Sequence, residues 1–130
     1  MVSFEGFVPR DGAPIYLQIV GHIKSGIVSG EIASGEELPS RRVLSALLGI
    51  NPNTIQKAYR MLEDAGLIES RAGAKSYMSF DADAAAEVRR ELVAAHVGET
   101  VAGLRALGLE KETALHLIAE AWESGGGETS

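Results

Sequence analysis

The side chains in this sequence that could do chemistry are cations and amides, and they cluster. Arg41 and Arg42 stand together; Asn51, Asn53, Thr54, Gln56, Lys57 and Arg60 follow closely; Arg71 and Lys75 flank Gly73 a little further on. An arginine presents a planar fork of N–H donors that fits guanine O6 and N7 or a phosphate, where lysine acts only as a point charge. Amide side chains match the donor and acceptor pair of adenine. These residue types suit recognition of a polyanion with an edge to be read, and bond-making has no comparable set. Glu110, Glu112, Glu120 and Glu123 fall along what reads as an exposed helix face rather than opposing one another as an acid–base pair, so no enzyme is expected. His22, His96 and His116 lack close helical ligand spacing and there is no Cys to assist them, so neither a metal nor a cofactor is expected.

The net charge of −6 argues against a polyanion partner until it is located along the chain. Residues 1–39 hold two basic and five acidic groups, and residues 79–130 hold four and ten. Residues 40–78 hold six basic groups against three acidic, so the electropositive third is the one that carries the forks and amides. The lack of cysteine excludes disulfides, thiolate metal sites and cysteine nucleophiles, and points to a reducing compartment. The first dozen residues, with Glu5, Arg10 and Asp11, never build the apolar run of a signal peptide, and no stretch approaches the length of a membrane span. Cytoplasm, with no membrane partner, is the expectation.

Those residues need elements to position them. Tyr16, Ile19, Val20, Ile23 and Ile27 recur at helical spacing between Ala13 and Ser29, with Pro14 suited to the first turn and Gly30 to the cap. After a turn with a minimal strand near Leu38, Ser40 reads as the N-cap of a second helix from Arg41 to about Leu48, its apolar stripe formed by Val43, Leu44, Leu47 and Leu48. Gly49 ends it. Asn51 as cap and Pro52 at the first position then start a third helix. At about 100° per residue, Ile55, Ala58, Tyr59 and Leu62 lie on one face, and Asn53, Gln56, Lys57 and Arg60 on the other. Leu67-Ile68 and Tyr77-Met78 flank a turn at Gly73 and predict a two-stranded hairpin with Arg71 and Lys75 near its tip. A long helix opens at Asp81 or Asp83 and runs to about Ala106, and Gly108 separates it from a shorter one over Glu110–Glu123.

Two helices joined by a short Leu-Gly-Ile turn and followed by a basic hairpin make a winged helix-turn-helix pattern. At these residues the chain resembles the GntR family of bacterial regulators. The matching elements are Pro14-Ile-Tyr-x-Gln18, Ser29-Gly-Glu31 with Gly35, Leu38-Pro-Ser-x-Arg42, Gly49-Ile-Asn-Pro-Asn-Thr-Ile55, Lys57-Ala-Tyr59, Leu62 and Gly66-Leu-Ile68. The two C-terminal helices resemble the YtrA-like branch in length and number. Two positions depart from the family pattern. Val43 stands where a glutamate would complete a capping box, and Lys75 takes the place of the second glycine of the wing.

The resemblance implies a mainly α fold: a winged helix-turn-helix of three helices and a two-stranded β wing, followed by a two-helix dimerisation region. The expected boundaries are an N-terminal arm at 1–12, the DNA-binding domain at 13–79, the dimerisation or regulatory region at 80–123 and a disordered tail at 124–130. It implies DNA contact by Arg42, joined by Arg41 at the start of the same helix. Sequence preference is expected from Asn51, Asn53, Thr54 and Gln56, phosphate contact from Lys57, Arg60, Arg71 and Lys75, and close approach of the wing backbone at Gly73. Val88, Leu92, Val97, Val101, Leu104, Leu117, Ile118 and Trp122 are the expected dimer contacts, with Trp122 anchored on the long helix or the partner subunit. The expected partners are double-stranded operator DNA and a second copy of the chain, acting as a repressor on a pseudo-palindromic site, with room for a small-molecule effector between the two regions. The competing expectation is a winged helix that docks another protein without specific DNA binding.

Overall fold

The computed structural model describes residues 1–128. Along the chain run helix α1 (Ile15–Ser29), strand β1 (Glu37–Leu38), helix α2 (Arg41–Leu48), helix α3 (Pro52–Asp64), strand β2 (Ile68–Arg71), a single 3₁₀ turn (Ala72–Ala74), strand β3 (Lys75–Met78), helix α4 (Ala82–Ala106) and helix α5 (Lys111–Glu128). They form two compact units, Met1–Leu92 and Val93–Ser130.

In the first unit the apolar faces of α1 and α3 meet. Ile19 and Ile23 from α1, and Ile55, Ala58 and Leu62 from α3, are fully buried, with Leu44 of α2 and Leu38 of β1 closing the cluster. Burying each large aliphatic contributes about 1.5–3 kcal/mol. Helix α2 supplies less than its sequence promises: Leu44 is buried and Leu48 half-buried, while Val43 is 55% and Leu47 66% exposed. Leu44 and Leu48 are four residues apart and share one line of the helix. Val43 and Leu47 form the next line, turned about 100° away, and an eight-residue helix lying on one neighbour buries only one line.

The wing is a three-stranded antiparallel sheet of order β1-β3-β2 rather than a two-stranded hairpin. Glu37 pairs with Tyr77 and Leu38 with Ser76, so a strand of two residues completes the central strand's hydrogen bonding and sinks Leu38 into the core. On the other side the register runs from Ile68–Met78 to Arg71–Lys75, which leaves a three-residue tip. Gly73 there has φ of 80°, a left-handed conformation that side chains disfavour, and it turns the chain without a second glycine.

Residues 1–12 are no free arm. Val2 donates its N–H to the Glu37 carbonyl at 2.9 Å, extending the edge of the sheet, and Val2 and Phe4 are buried. Phe4 stacks on His22 with ring centroids 4.6 Å apart, and Phe7 meets both rings edge-on. His22 Nε2 donates to the Ser3 carbonyl at 2.8 Å, and Gln18 bonds to both backbone groups of Arg10 and to the Ala13 carbonyl. Pro14 stands at the N-cap position of α1, one step before its first turn.

The start of α4 also belongs to this unit. Asp81 caps it by accepting the Ala84 N–H at 2.8 Å; Val88 is buried in the core, Ala84, Ala85 and Leu92 pack on the same cluster, and Lys24 pairs with Glu91 at 3.4 Å. Val88 and Leu92, expected at a dimer interface, are therefore used within the chain: their line of the helix packs on the core cluster of the first unit.

In the second unit, residues 93–106 of α4 and helix α5 are joined through Gly108. Leu109 N–H bonds to the Leu104 carbonyl and Gly108 N–H to that of Arg105, the paired bonds of a Schellman stop. Leu104, Leu109 and Ala114 are half-buried. Val93, Val97 and Val101 on α4 and Leu115, Ile118 and Trp122 on α5 remain exposed. Trp122, at 78%, is not packed on the long helix. Helix α5 continues to Glu128, past the start of the tail expected at Ser124; residues 129–130 lie outside the described residues.

One hydrogen bond ties the reading elements together: the buried Tyr59 hydroxyl donates to the Pro39 carbonyl at 2.7 Å, fixing α3 against the entry to α2. Burial raises the phenol's pKa well above its ordinary value, and the charge of Arg41 opposes this only in part. In the unfolded chain the phenol ionises near pH 10, whereas the native state keeps its proton, so stability should fall as pH rises through about 10. Tyr59→Phe strands the buried Pro39 carbonyl and should cost about 1–3 kcal/mol at neutral pH by denaturant unfolding. The part of the alkaline loss that Tyr59 contributes should be missing from the variant; identical pH slopes for both proteins would refute the assignment.

Candidate nucleic-acid interface

Helix α2 starts on Ser40, whose hydroxyl accepts the Val43 N–H at 3.1 Å. With valine at position 43 no carboxylate returns the bond, yet the helix holds from Arg41 to Leu48 because Leu44 is anchored in the core. Gly49, with φ of 67°, ends it in a left-handed cap. Ser45 then locks the turn: its hydroxyl donates to the Ile50 carbonyl at 2.5 Å, and Ile50 N–H returns a bond to the Ser45 carbonyl at 3.1 Å. Sequence reasoning missed Ser45, since a serine inside a helix carries no signal until the residue it reaches is known.

Helix α3 starts as its sequence predicts, with Pro52 at the first position and the Asn51 side-chain oxygen accepting the Asn53 N–H at 2.8 Å. That cap commits the Asn51 oxygen to the helix. Asn53, Lys57 and Arg60 are exposed, and Thr54 and Gln56 are half-buried. On α2, Arg42 is exposed and Arg41 half-buried, its Nε donating to Gln56 Oε1. The N-terminal turns of α2 and α3 thus form one continuous polar surface, a combination that spacing along the chain could not reveal. Lys57 Nζ lies 4.0 Å over the Tyr16 ring, which brings the first turn of α1 to the edge of that surface.

On the wing, Arg71 and Lys75 face each other across the tip. The Arg71 guanidinium contacts Glu69 at 2.9 Å and covers the Tyr77 ring at 4.1 Å. An exposed pair of this kind holds about 0–1 kcal/mol, so it orients the arginine without consuming it. Ser70 donates to Glu63 at 3.2 Å and β2 packs on α3, fixing the wing to the helix it accompanies. Among the described residues no cluster of three or more His, Asp or Glu is arranged to hold a metal ion, and no helix is long and apolar enough to cross a membrane.

A surface of two helix N-termini, amide forks and the cations Arg41, Arg42, Lys57 and Arg60 beside a basic hairpin can bind a duplex: the third helix is narrow enough for a major groove, and the cations stand where phosphates would pass. Comparison with known proteins agrees. The family model of bacterial regulatory proteins of the gntR family matches residues 15–77. The HTH-type transcriptional regulator YhcF of Bacillus subtilis is 35% identical over 116 residues, covering 89% of this chain and 96% of that one. The HTH-type transcriptional repressor YtrA of the same organism is 42% identical over 74 residues, 57% of each chain. A solved GntR family transcriptional regulator from Listeria monocytogenes superposes with a TM-score of 0.75 at 30% identity, over 86% of this chain and 98% of its own. With a nearly full-length relative at this identity, the chain belongs to the GntR family and is a DNA-binding regulator of transcription rather than an enzyme.

Proposed function

We propose that the chain represses transcription as a homodimer on a two-fold-related operator, each copy placing α3 in a major groove and the two grooves lying one helical turn, about 34 Å, apart. The observation that carries this reading is the uncovered face of α3: Asn53, Lys57 and Arg60 are exposed while the opposite face is sealed in the core. The dimer rests on the second unit, where Val93, Val97 and Val101 on α4 and Leu115, Ile118 and Trp122 on α5 leave apolar stripes in water. Two helices cannot bury such stripes by themselves, and a second copy offers the same stripes in return. Leu104 and Leu117 flank the stripes and belong to the same contact. A cleft of about 410 Å³ between Val101, Leu104, Leu109, Ala114 and Ile118 is, on this reading, part of the interface rather than a small-molecule site. Repression is supported by the name of YtrA, a transcriptional repressor that shares 42% identity over the matched residues.

Within the surface, Arg42, Asn53, Thr54 and Gln56 read bases, while Lys57, Arg60, Arg71 and Lys75 hold phosphates. Asn51 caps α3 and contributes through its free amide nitrogen, and the Gly73 backbone approaches the minor groove. Arg42→Ala should therefore cost about 1–3 kcal/mol of operator binding and relax sequence preference. Lys57→Ala should weaken all sequences alike and lower the salt dependence by about one counterion per protomer. Equal losses on specific and random DNA for Arg42→Ala would remove it from direct readout. For the dimer, the double variant Val97→Glu/Ile118→Glu should sediment as a monomer and lose about 10²-fold or more in operator affinity through lost avidity. If that variant remains dimeric, α4 and α5 do not form the interface.

A further inference from the structure

Gln56 is the one amide on the polar face of α3 whose carbonyl is already taken by another side chain. Arg41 Nε is a donor only, so the atom it meets on Gln56 must be Oε1, which fixes the amide with no ambiguity about which end is which. Neither Gln56 Nε2 nor the Arg41 Nη groups have a hydrogen-bond partner among the described residues. A free glutamine reads adenine with both ends at once, its oxygen accepting from N6 and its nitrogen donating to N7. With a guanidinium on the oxygen, an adenine amino group would have to converge on the same atom beside a like-signed charge. What the pair presents outward is donors.

We propose that Arg41 is a positioning residue that sets base preference: by occupying one lone pair of Oε1 with a cation it biases Gln56 to read with its Nε2 donors, which selects guanine over adenine at the base pair beneath it. Guanine offers two adjacent acceptors, N7 and O6, whereas thymine offers one acceptor next to a methyl group. This inference rests on α3 as the recognition helix but does not follow from it, since an unheld glutamine in the same place would favour adenine.

Selection of DNA from a random pool, run in parallel on the intact wild-type protein, Arg41→Ala, Arg41→Lys and Gln56→Ala, tests it. The position whose preference disappears in Gln56→Ala is the one Gln56 reads. Wild type should prefer guanine there, Arg41→Ala should shift the guanine-to-adenine ratio toward adenine by about tenfold, the size of one good base contact, and Arg41→Lys, which can still donate to Oε1, should recover guanine. A purely structural role for Arg41 would lower affinity on all sequences and leave that ratio alone. Circular dichroism and melting of each variant separate unfolding from altered reading, and if Arg41→Ala does not fold, the Arg41→Lys and Gln56→Ala profiles still decide. Wild-type preference for adenine at the Gln56 position, or a ratio unchanged by removal of Arg41, overturns this inference alone. Failure of wild type to enrich any sequence overturns it together with the reading of α3 as a recognition helix.

Discussion

The burial of Ile55, Ala58, Tyr59 and Leu62 on one side of α3 is the constraint on which the molecule depends. A helix turns about 100° per residue, so fixing those four positions in a core fixes the opposite side outward, and that side carries Asn53, Lys57 and Arg60. No further interaction is needed to present the face, only partners to hold the first one: Ile19 and Ile23 of α1, Leu44 of α2 and Leu38 of β1. The aliphatic core and the polar surface are one decision made twice, because any rotation of α3 that exposed Asn51 or Arg60 differently would pull Leu62 or Ile55 into water.

Charge then decides what such a surface can do. A protein of net charge −6 is repelled by DNA at long range, and its attraction must come from the six cations of residues 40–78 at short range. A single copy with so few cations and an acidic remainder is expected to bind random DNA poorly. In the dimer proposed above, two copies would double the contacts on a correctly spaced site and leave random sites with one engaged half, and the acidity of residues 79–130 would then sharpen the difference between specific and non-specific binding.

Much of this was legible in the sequence. The limits of α2, the Asn51-Pro52 start of α3, the glycine at the wing tip and the polar face of α3 all follow from local rules: caps, fixed φ angles and period. What escaped was long-range. The minimal strand near Leu38 was expected, but its pairing with β3, which makes the wing three-stranded, was not. The first residues read as an arm since nothing local ties Phe4 to His22 across the intervening chain. Val88 sits on an apolar line that looks the same whether a partner subunit or its own core covers it, and only the contacts of α4 assign it to the core. The Arg41 bond to Gln56 joins two elements whose relative placement is set by Tyr59 and Ser45, neither of which announces that role.

Those two locks also bear on how binding can be specific with so little surface. Ordering a long side chain at an interface costs about 0.5–1.5 kcal/mol, and loops cost more. Here the turn between α2 and α3 is closed by Ser45, the entry to α2 is held by Tyr59, and the wing is tied to α3 through Ser70 and Glu63. Several side chains of the polar surface are partly ordered as well: Lys57 rests on Tyr16, Arg71 lies between Glu69 and Tyr77, and Gln56 is held by Arg41. Each such restraint is weak, and each removes rotamers that the complex would otherwise have to exclude. A small cationic surface on an acidic protein therefore gains discrimination from order established during folding rather than from added contacts, and in the proposal for Arg41 that order acts through the amide it holds.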